Sequence, residues 1–208
     1  MDNINLILVG VNHKTTPVAI RERLAFTKGK IEDSADRLLN YPEIIEHTIL
    51  STCNRVEIYA RASNQDSGIN FIKNFICEFH NLSPVELEDH FYSYSDEEAI
   101  EHLFRVSSSL DSMVLGEAQI LGQVKDAYSL AKNLRSTGLI LNQLFEKAFS
   151  IAKKVRDETG IAERSVSISS AAVELAQKIF NDLENHTVML VGTGEMAELA
   201  AKHLISYG

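Results

Sequence analysis

Cysteine is scarce in this chain of 208 residues, which contains only Cys53 and Cys77. Two cysteines this far apart give no disulfide framework and none of the paired spacings that are typical of structural zinc sites. We therefore expect two free thiols, a reducing cytoplasmic location and no bound metal.

Long apolar runs and a basic leader are also missing. No run approaches the ~20 apolar residues that a membrane helix requires, although apolar residues make up 45% of the composition. The opening MDNINLILVG carries an acid and no basic residue, so it lacks the pattern of a secretory signal. We predict no membrane segment and a core large enough to fold without disulfides.

Basic residues are outnumbered, with 20 Lys and Arg against 29 Asp and Glu and a formal net charge of −9. Non-specific binding to nucleic acid depends on neutralising phosphates, so this balance disfavours a broadly basic binding surface. One predicted helix, EKAFSIAKKVRDE (146–158), does concentrate cations. Both a solvated helix face and a local contact with nucleic acid fit that pattern.

The apolar pattern of the first 95 residues predicts the order strand, helix, strand, strand, helix, strand. In RVEIYAR (55–61), for example, apolar residues alternate with polar ones, which places Arg55 opposite the apolar face. Helical spacing then continues to about residue 158, and Ser95 followed by Glu98 predicts a capping box at its start. We predict an α+β fold over residues 1–160, a ferredoxin-like sandwich with a helical extension.

A second region, residues 161–208, follows a polar boundary that contains Gly160. The run TVMLVGTGEMAELAAKHL (187–204) predicts a strand, a glycine turn and a helix, and it matches G-x-G-x-x-A. Such glycines let the backbone approach a pyrophosphate at a helix N-terminus, although a tight turn without ligand has the same pattern. We predict the start of a Rossmann-type domain, and we expect the sequence to stop inside it. The matching residues are Gly192, Thr193, Gly194, Glu195, Met196 and Ala197.

Cys53 lies in STCNRVEIYA (51–60), at the junction of two predicted strands. A free thiol titrates near ~8.5, and a neighbouring cation lowers its pKa. Arg55, two residues further on, could be that cation, or it could bind a carboxylate through two hydrogen bonds. A cysteine beside an arginine also fits an inert thiol, and the spacing alone leaves these alternatives open.

A second polar cluster, SSLDSMVLGEAQILGQVKDAY (108–128), surrounds Gly116 and Gly122 near a predicted helix start. Glycines in this position allow close approach of a ligand, although a capped helix terminus with a polar face explains the pattern as well. His102 falls at the margin of an apolar helix face. It is either a structural histidine or a proton donor and acceptor near the thiol.

Together these motifs resemble the glutamyl-tRNA reductase family. Members reduce glutamyl-tRNA(Glu) to glutamate-1-semialdehyde, the first step of tetrapyrrole (5-aminolevulinate, porphyrin) biosynthesis by the five-carbon pathway. The resemblance covers nearly the whole chain in the family's order. Its motifs are GVNHKTTPVAIRERLAF (10–26), LSTCNRVEIY (50–59), LDSMVLGEAQILGQVKDAY (110–128), SVSISSAAVELA (165–176) and VGTGEMAELAAKHL (191–204).

The resemblance implies specific roles. Cys53 is expected to attack the ester of glutamyl-tRNA and form a thioester, which NADPH then reduces. His102 matches an activity-linked histidine, and residues 192–197 match the cofactor loop. The residues that match the family's substrate-binding positions are Thr52, Asn54, Arg55, Ser112, Glu117, Ala118, Gln119 and Gln123.

The resemblance also implies a homodimer in the full-length protein and a glutamate-1-semialdehyde aminomutase as partner. We expect the chain as given neither to dimerise through the family's long helical region nor to hold NADPH well. Ser109 stands where the family more often has Gly or Ala, and its hydroxyl is expected either to crowd the pocket or to form a hydrogen bond. Ala118 replaces a frequent Pro or Asp. Two other classes stay open, a tRNA-binding module without turnover and an unrelated cysteine esterase.

Overall fold

The computed structural model describes residues 4–161, 168–181, 183–192 and 195–206. No helix in these ranges is both long and apolar enough to cross a membrane. The strands are β1 (Leu6–Asn12), β2 (Ile44–Ser51), β3 (Arg55–Ala62) and β4 (Tyr92–Ser95). The helices are α1 (Val18–Leu24), α2 (Lys28–Leu39), α3 (Gln65–Phe79), α4 (Pro84–Leu87), a 3-10 turn (Glu88–His90), α5 (Glu97–Ser107), α6 (Gln119–Asn133), α7 (Leu139–Thr159), α8 (Ile168–Phe180) and α9 (Glu195–Ser206).

The four strands form one sheet in the order β2-β3-β1-β4, and every neighbouring pair is antiparallel. This mixed α/β architecture confirms the predicted alternation of strands and helices. The predicted two-residue period of β3 is also present, because Val56 and Ile58 pack on one side of the sheet and Tyr59 on the other.

Both faces of the sheet are covered. Helices α1, α2 and α3 pack on one face, where Ile7, Val9 and Ile58 are fully buried. Helices α5, α6 and α7 pack on the other, where Tyr59 meets Phe145 edge-on at 5.7 Å between ring centroids. Burying one such aliphatic side chain contributes about 1.5–3 kcal/mol. Because helices cover this second face as well, the polar side chain of Arg55 in β3 is buried and not exposed to solvent.

The predicted capping box at Ser95 is wrong by one position. Ser95 belongs to β4 and pairs with Ile7, so α5 begins after Asp96, whose φ is 45° and whose side chain makes no cap hydrogen bond. The Asp96 carboxylate instead accepts hydrogen bonds from the Leu6 N–H and the Gln65 amide. Ser95 is thus part of a strand and not the N-cap of the helix, although the local pattern assigned it to the helix.

Helix α7 is capped by a carboxylate from a different element. Glu46 lies in β2 and is buried, and its carboxylate accepts the backbone N–H groups of Gly138 at 2.9 Å and Leu141 at 2.8 Å. The first N–H groups of a helix have no partner within it, and a negative charge there also interacts favourably with the helix dipole. A Cβ atom at Gly138 would lie 2.8 Å from this carboxyl group, so glycine leaves room for the cap.

Replacing Glu46 by alanine is expected to destabilise the fold. The substitution removes the acceptor of three backbone N–H groups, those of Gly138, Ile140 and Leu141, which lowers the free energy of unfolding by about 1–3 kcal/mol. Urea denaturation followed by circular dichroism measures this loss. Glu32→Ala, an exposed change on α2, serves as control. Equal effects of the two substitutions would contradict the capping role.

The second region differs from its prediction in one respect. Helices α8 and α9 form and pack against each other. The predicted strand over 187–191 does not form. Met189 and Val191, which lie in this stretch, are 82% and 85% exposed. A strand needs a hydrogen-bonded neighbour, and the strands of the described residues all belong to the sheet of the first region.

Candidate active site

Cys53 sits at the tight turn between β2 and β3. The turn is held by Thr52, whose Oγ1 accepts the backbone N–H groups of Asn54 and Arg55, each at 3.1 Å. The Thr52 N–H also donates to the Arg55 carbonyl at 2.8 Å. Because the turn lies at the end of the hairpin, the Cys53 side chain is exposed, whereas Cys77 is buried. The fold therefore presents one of its two thiols to solvent.

The charges around Cys53 come from other elements. Partial burial and the Glu117 carboxylate raise the pKa of the Cys53 thiol, and Arg21 on α1 opposes them. Arg21 Nε also donates to the Cys53 carbonyl at 3.3 Å. The sequence left open whether Arg55 is the cation near the thiol. In the structure, that cation is Arg21. Arg21 lies within the motif 10–26, but nothing in its local sequence distinguishes it from the neighbouring Arg23.

Arg55 is only 1% exposed and is occupied by carboxylates. Its Nη1 lies 2.7 Å from Glu57 Oε1, and its Nη2 lies 3.2 Å from Asp111 Oδ2 and also donates to the Asp111 carbonyl. Lys14 pairs with the same Asp111 carboxylate from the solvent side. A direct contact between Arg55 and a substrate carboxylate would therefore require Asp111 to move.

Glu57 is the centre of a buried polar group that we call the Glu57 network. Burial opposes its ionisation, but Arg55 and a hydrogen bond from His102 hold the pKa of the Glu57 carboxyl well below its usual range. Burial and the Glu57 charge together raise the pKa values of Tyr59 and Tyr92 well above normal, so both phenols stay protonated and donate. The partners of the Glu57 carboxylate are Arg55 at 2.7 Å, Tyr59 at 2.7 Å, Tyr92 at 2.6 Å and His102 at 2.8 Å.

His102 is buried, and its Nε2 lies next to Glu57 Oε1. An ionised carboxylate can only accept, so Nε2 carries the proton in this contact. The ring also lines a cleft of about 400 Å³ together with Lys14, Tyr92 and Asp111. Cys53 does not line that cleft, so the structure joins His102 to the Glu57 network rather than to the thiol.

The first part of the predicted second substrate-binding stretch, residues 109–118, forms a closed segment before α6, and Gln119 and Gln123 lie on α6 itself. Ser109 Oγ donates to the Glu117 carbonyl at 2.6 Å. Of the two expectations for this hydroxyl, crowding or a hydrogen bond, the structure shows the hydrogen bond. Burial raises the pKa of the Glu117 carboxyl, against the opposing charge of Arg55. Ala118 precedes the first residue of α6 and is exposed.

Two predicted substrate-binding residues carry unused polar atoms. Ser112 Oγ and Gln119 Nε2 are buried and have no hydrogen-bond partner within the described part of the chain. Buried polar atoms are nearly always paired, so atoms of this kind indicate a place for a ligand or a water. Gln123 lies one helical turn beyond Gln119 and lines a separate cleft of about 500 Å³ with Ser51 and Phe26.

The predicted cofactor loop is only partly described. Gly192 has a φ of 125°, which a side chain rarely adopts, and α9 begins three residues later. Thr193 and Gly194 lie outside the described residues, as do the side chains of Glu195 and Met196. Ala197 is partly exposed on α9. No group of three or more possible metal ligands is found in the described ranges.

The fold and site define a class of protein: an α/β domain with a four-stranded antiparallel sheet, which presents one thiol at the end of a hairpin and contains a buried network of charges. The sequence-family model of the glutamyl-tRNAGlu reductase N-terminal domain matches residues 9–159. The sequence-family model of shikimate / quinate 5-dehydrogenase matches residues 174–208. The chain belongs to the glutamyl-tRNA reductase family.

Curated relatives support this assignment over 205 residues, or 99% of the chain. Glutamyl-tRNA reductases from Geotalea uraniireducens and Geobacter sulfurreducens are 54% and 51% identical to it, and the match covers 47% of each relative. The solved structure of glutamyl-tRNA reductase from Methanopyrus kandleri is 35% identical with a TM-score of 0.69, over 99% of this chain and 47% of that one. The chain thus spans about half the length of the relatives it matches.

Neutralising Glu117 is expected to make the thiol more reactive. Because the Glu117 carboxylate raises the pKa of Cys53, Glu117→Gln should lower that pKa and accelerate alkylation at pH 8 by about two- to threefold. Iodoacetamide labelling of Cys53 at several pH values, read by mass spectrometry, measures the change. Arg21→Gln should slow the reaction. A slower or unchanged rate in Glu117→Gln would contradict this account.

Proposed function

We propose that this chain carries the substrate-binding and acyl-transfer part of a glutamyl-tRNA reductase. The sulfur of Cys53 bonds to the carbonyl carbon of glutamyl-tRNA(Glu), the ester C–O bond breaks, and the thiol proton ends on the released ribose hydroxyl. The glutamyl group remains as a thioester. The observation that carries the proposal is an exposed Cys53 in a family-matched turn, while Cys77 is buried. Family membership supports it.

In this reaction the chain's own residues bind and orient the substrate. We propose that Gln119 Nε2 donates a hydrogen bond to the glutamyl group and that Ser112 Oγ donates or accepts one, since both atoms are buried and lack partners. Thr52 fixes the turn that presents the thiol, next to Asn54. Arg21 favours the thiolate as the proton leaves. We assign Glu117, Ala118 and Gln123 to the same binding region, from their match to the family.

Two members of the Glu57 network belong to the proposal. His102 holds its Nε2 proton against Glu57, so its Nδ1 is the ring nitrogen that can exchange a proton with a ligand. Arg55, buried between Glu57 and Asp111, supports recognition of the glutamyl carboxylate, either through Asp111 or directly once Asp111 has moved.

We further propose that residues 1–160 are a catalytic, ferredoxin-like domain and that residues 161–208 begin an NADPH-binding Rossmann-type domain. The match of residues 174–208 to a dehydrogenase family and the φ of Gly192 before a twelve-residue helix support the second part. Residues 192–197 would hold the cofactor's phosphates. NADPH, when bound, supplies the hydride that converts the thioester to the aldehyde glutamate-1-semialdehyde.

For the full-length protein, we propose the partners and setting that the family implies. These are a homodimer, a cytoplasmic location and a glutamate-1-semialdehyde aminomutase that takes the reactive aldehyde. The whole reaction would then be the NADPH-dependent first step of tetrapyrrole biosynthesis.

Acid trapping of the chain with radiolabelled glutamyl-tRNA(Glu), in the absence of NADPH, tests the proposed acyl transfer. We expect labelled protein from which hydroxylamine releases the label, as it does from thioesters. A gel shift with tRNA but no labelled protein would support a binding module instead. Cleavage of simple activated esters without labelling from glutamyl-tRNA would support an unrelated esterase.

A further inference from the structure

The last turn of α7 contacts the segment 109–118. The Nη2 atom of Arg156 lies 3.2 Å from Ser109 Oγ and 3.3 Å from the carbonyl oxygens of Glu117 and Ala118. One guanidinium therefore joins the first residue of the segment to its last two. The other cations of this helix, such as Lys153, are exposed, so Arg156 differs from them in pointing inward.

The segment does not hold its shape through backbone preference alone. Ser109 has a φ of 62° and Gly116 a φ of 82°, and the left-handed region costs a non-glycine residue roughly 1–3 kcal/mol. The Gly116 N–H closes the loop on the Ser109 carbonyl at 3.1 Å. A Cβ atom at Gly116 would overlap the carbonyl of Ile161, just beyond α7. The end of α7 thus supports the segment at two points.

The position of this segment determines the charge beside the thiol. Two charged groups act on Cys53, namely Glu117 from the segment and Arg21 from α1. Arg156 donates to the backbone carbonyl of Glu117, and the charges that act on the thiol are those of Glu117 and Arg21, so the structural link from Arg156 to Cys53 runs through the segment.

We propose that Arg156 is a positioning residue, which holds the segment 109–118 so that the Glu117 carboxylate stays beside the Cys53 thiol. It thereby links α7, the helix that leads toward the second region, to the acyl-transfer site. The consequence for acyl transfer rests on the function proposed above. The positioning itself is measured on the thiol without any substrate.

Arg156→Met is expected to release the segment, so that the Glu117 carboxylate moves into water and away from the thiol. The loss of this negative charge favours the thiolate. Alkylation of Cys53 by iodoacetamide at pH 8 should then be about threefold faster, with its pH midpoint moved down. Arg156→Lys keeps a cationic donor and should recover at least half of that shift. Lys153→Met removes an exposed charge from the same helix and should leave the alkylation profile unchanged.

A purely structural role for Arg156 would lower the melting temperature and leave the midpoint in place. A positioning role predicts something else for the pH midpoint of Cys53 alkylation. Arg156→Met should move this midpoint less in a Glu117→Gln background than in the wild type, because the carboxylate that the substitution displaces is then absent. A wild-type profile for Arg156→Met, or an equal shift in both backgrounds, would overturn the proposal.

Acyl transfer should respond in the opposite direction from alkylation. A misplaced segment no longer orients the ester, so single-turnover labelling from glutamyl-tRNA(Glu) should fall about tenfold in Arg156→Met. Labelling that rises together with alkylation would count against positioning. If the wild type gives no labelled protein at all, the proposed function fails, while the alkylation profiles still decide the role of Arg156.

Discussion

Replacing Cys53 by serine is expected to reduce covalent capture of glutamate from glutamyl-tRNA(Glu) by roughly 10³-fold, to the background of the assay. A serine hydroxyl stays protonated at neutral pH, and the thiolate is the reactive form of cysteine. In wild type, the labelling rate should rise with pH toward and beyond the normal thiol range, because burial and Glu117 raise the pKa of Cys53. Acid-trapped label per mole of protein measures both effects.

Cys77 provides the matched control. It is the other thiol of the chain and is 2% exposed within α3, where a tRNA acceptor end cannot reach it. Cys77→Ala should keep full labelling and lose about 1 kcal/mol of stability from the small cavity. Retained labelling in Cys53→Ser, or lost labelling in a folded Cys77→Ala, would exclude Cys53 as the nucleophile.

Replacing Glu57 by glutamine is expected to produce the largest loss of stability among the substitutions considered. The side chain of Glu57 is completely buried and pairs with Arg55, which is 1% exposed. Glu57→Gln removes the nearer counter-ion of Arg55 and leaves it only the Asp111 carboxylate, and removing one partner of a buried pair costs about 3–5 kcal/mol. Urea denaturation measures this cost. Glu101→Gln, which removes an exposed pair with Arg105, should cost less than about 1 kcal/mol. A similar small cost for Glu57→Gln would contradict the assigned network.

The pH dependence of unfolding provides a second test of the same network. The folded pKa of Glu57 is depressed, so its contribution is complete above the unfolded value of ~4.3 and is lost as the pH falls below it. Burial lowers the pKa values of His47 and His80 to about 4, so these two histidines destabilise the fold earlier, as the pH falls from ~6.5 toward 4. Glu57→Gln should shrink the lower of these two windows, to which Asp111 with its lowered pKa also contributes, and keep the upper one. Loss of both windows would argue against this assignment.

Much of the architecture could be predicted from local patterns. The alternation in β3, the helical spacing of α5 to α7 and the turn at Cys53 all follow from residues close together in sequence, and the structure contains each of them. Two local predictions were wrong, the capping box at Ser95 and the strand over 187–191. Both depend on which strand lies alongside, and local sequence does not contain that information.

The chemistry of the site divides in the same way. The sequence by itself determined that Cys53 lies at a turn and that Arg55 points away from the apolar face of β3, because side-chain direction in a strand follows a period of two. Only the tertiary structure decided that this second face is covered, that Arg55 is held by Glu57 and Asp111, and that Arg21 is the cation beside the thiol. These partners lie as far as 56 positions apart in the chain. Packing between whole elements brings them together, and burial makes their charges strong enough to set the ionisation of the site.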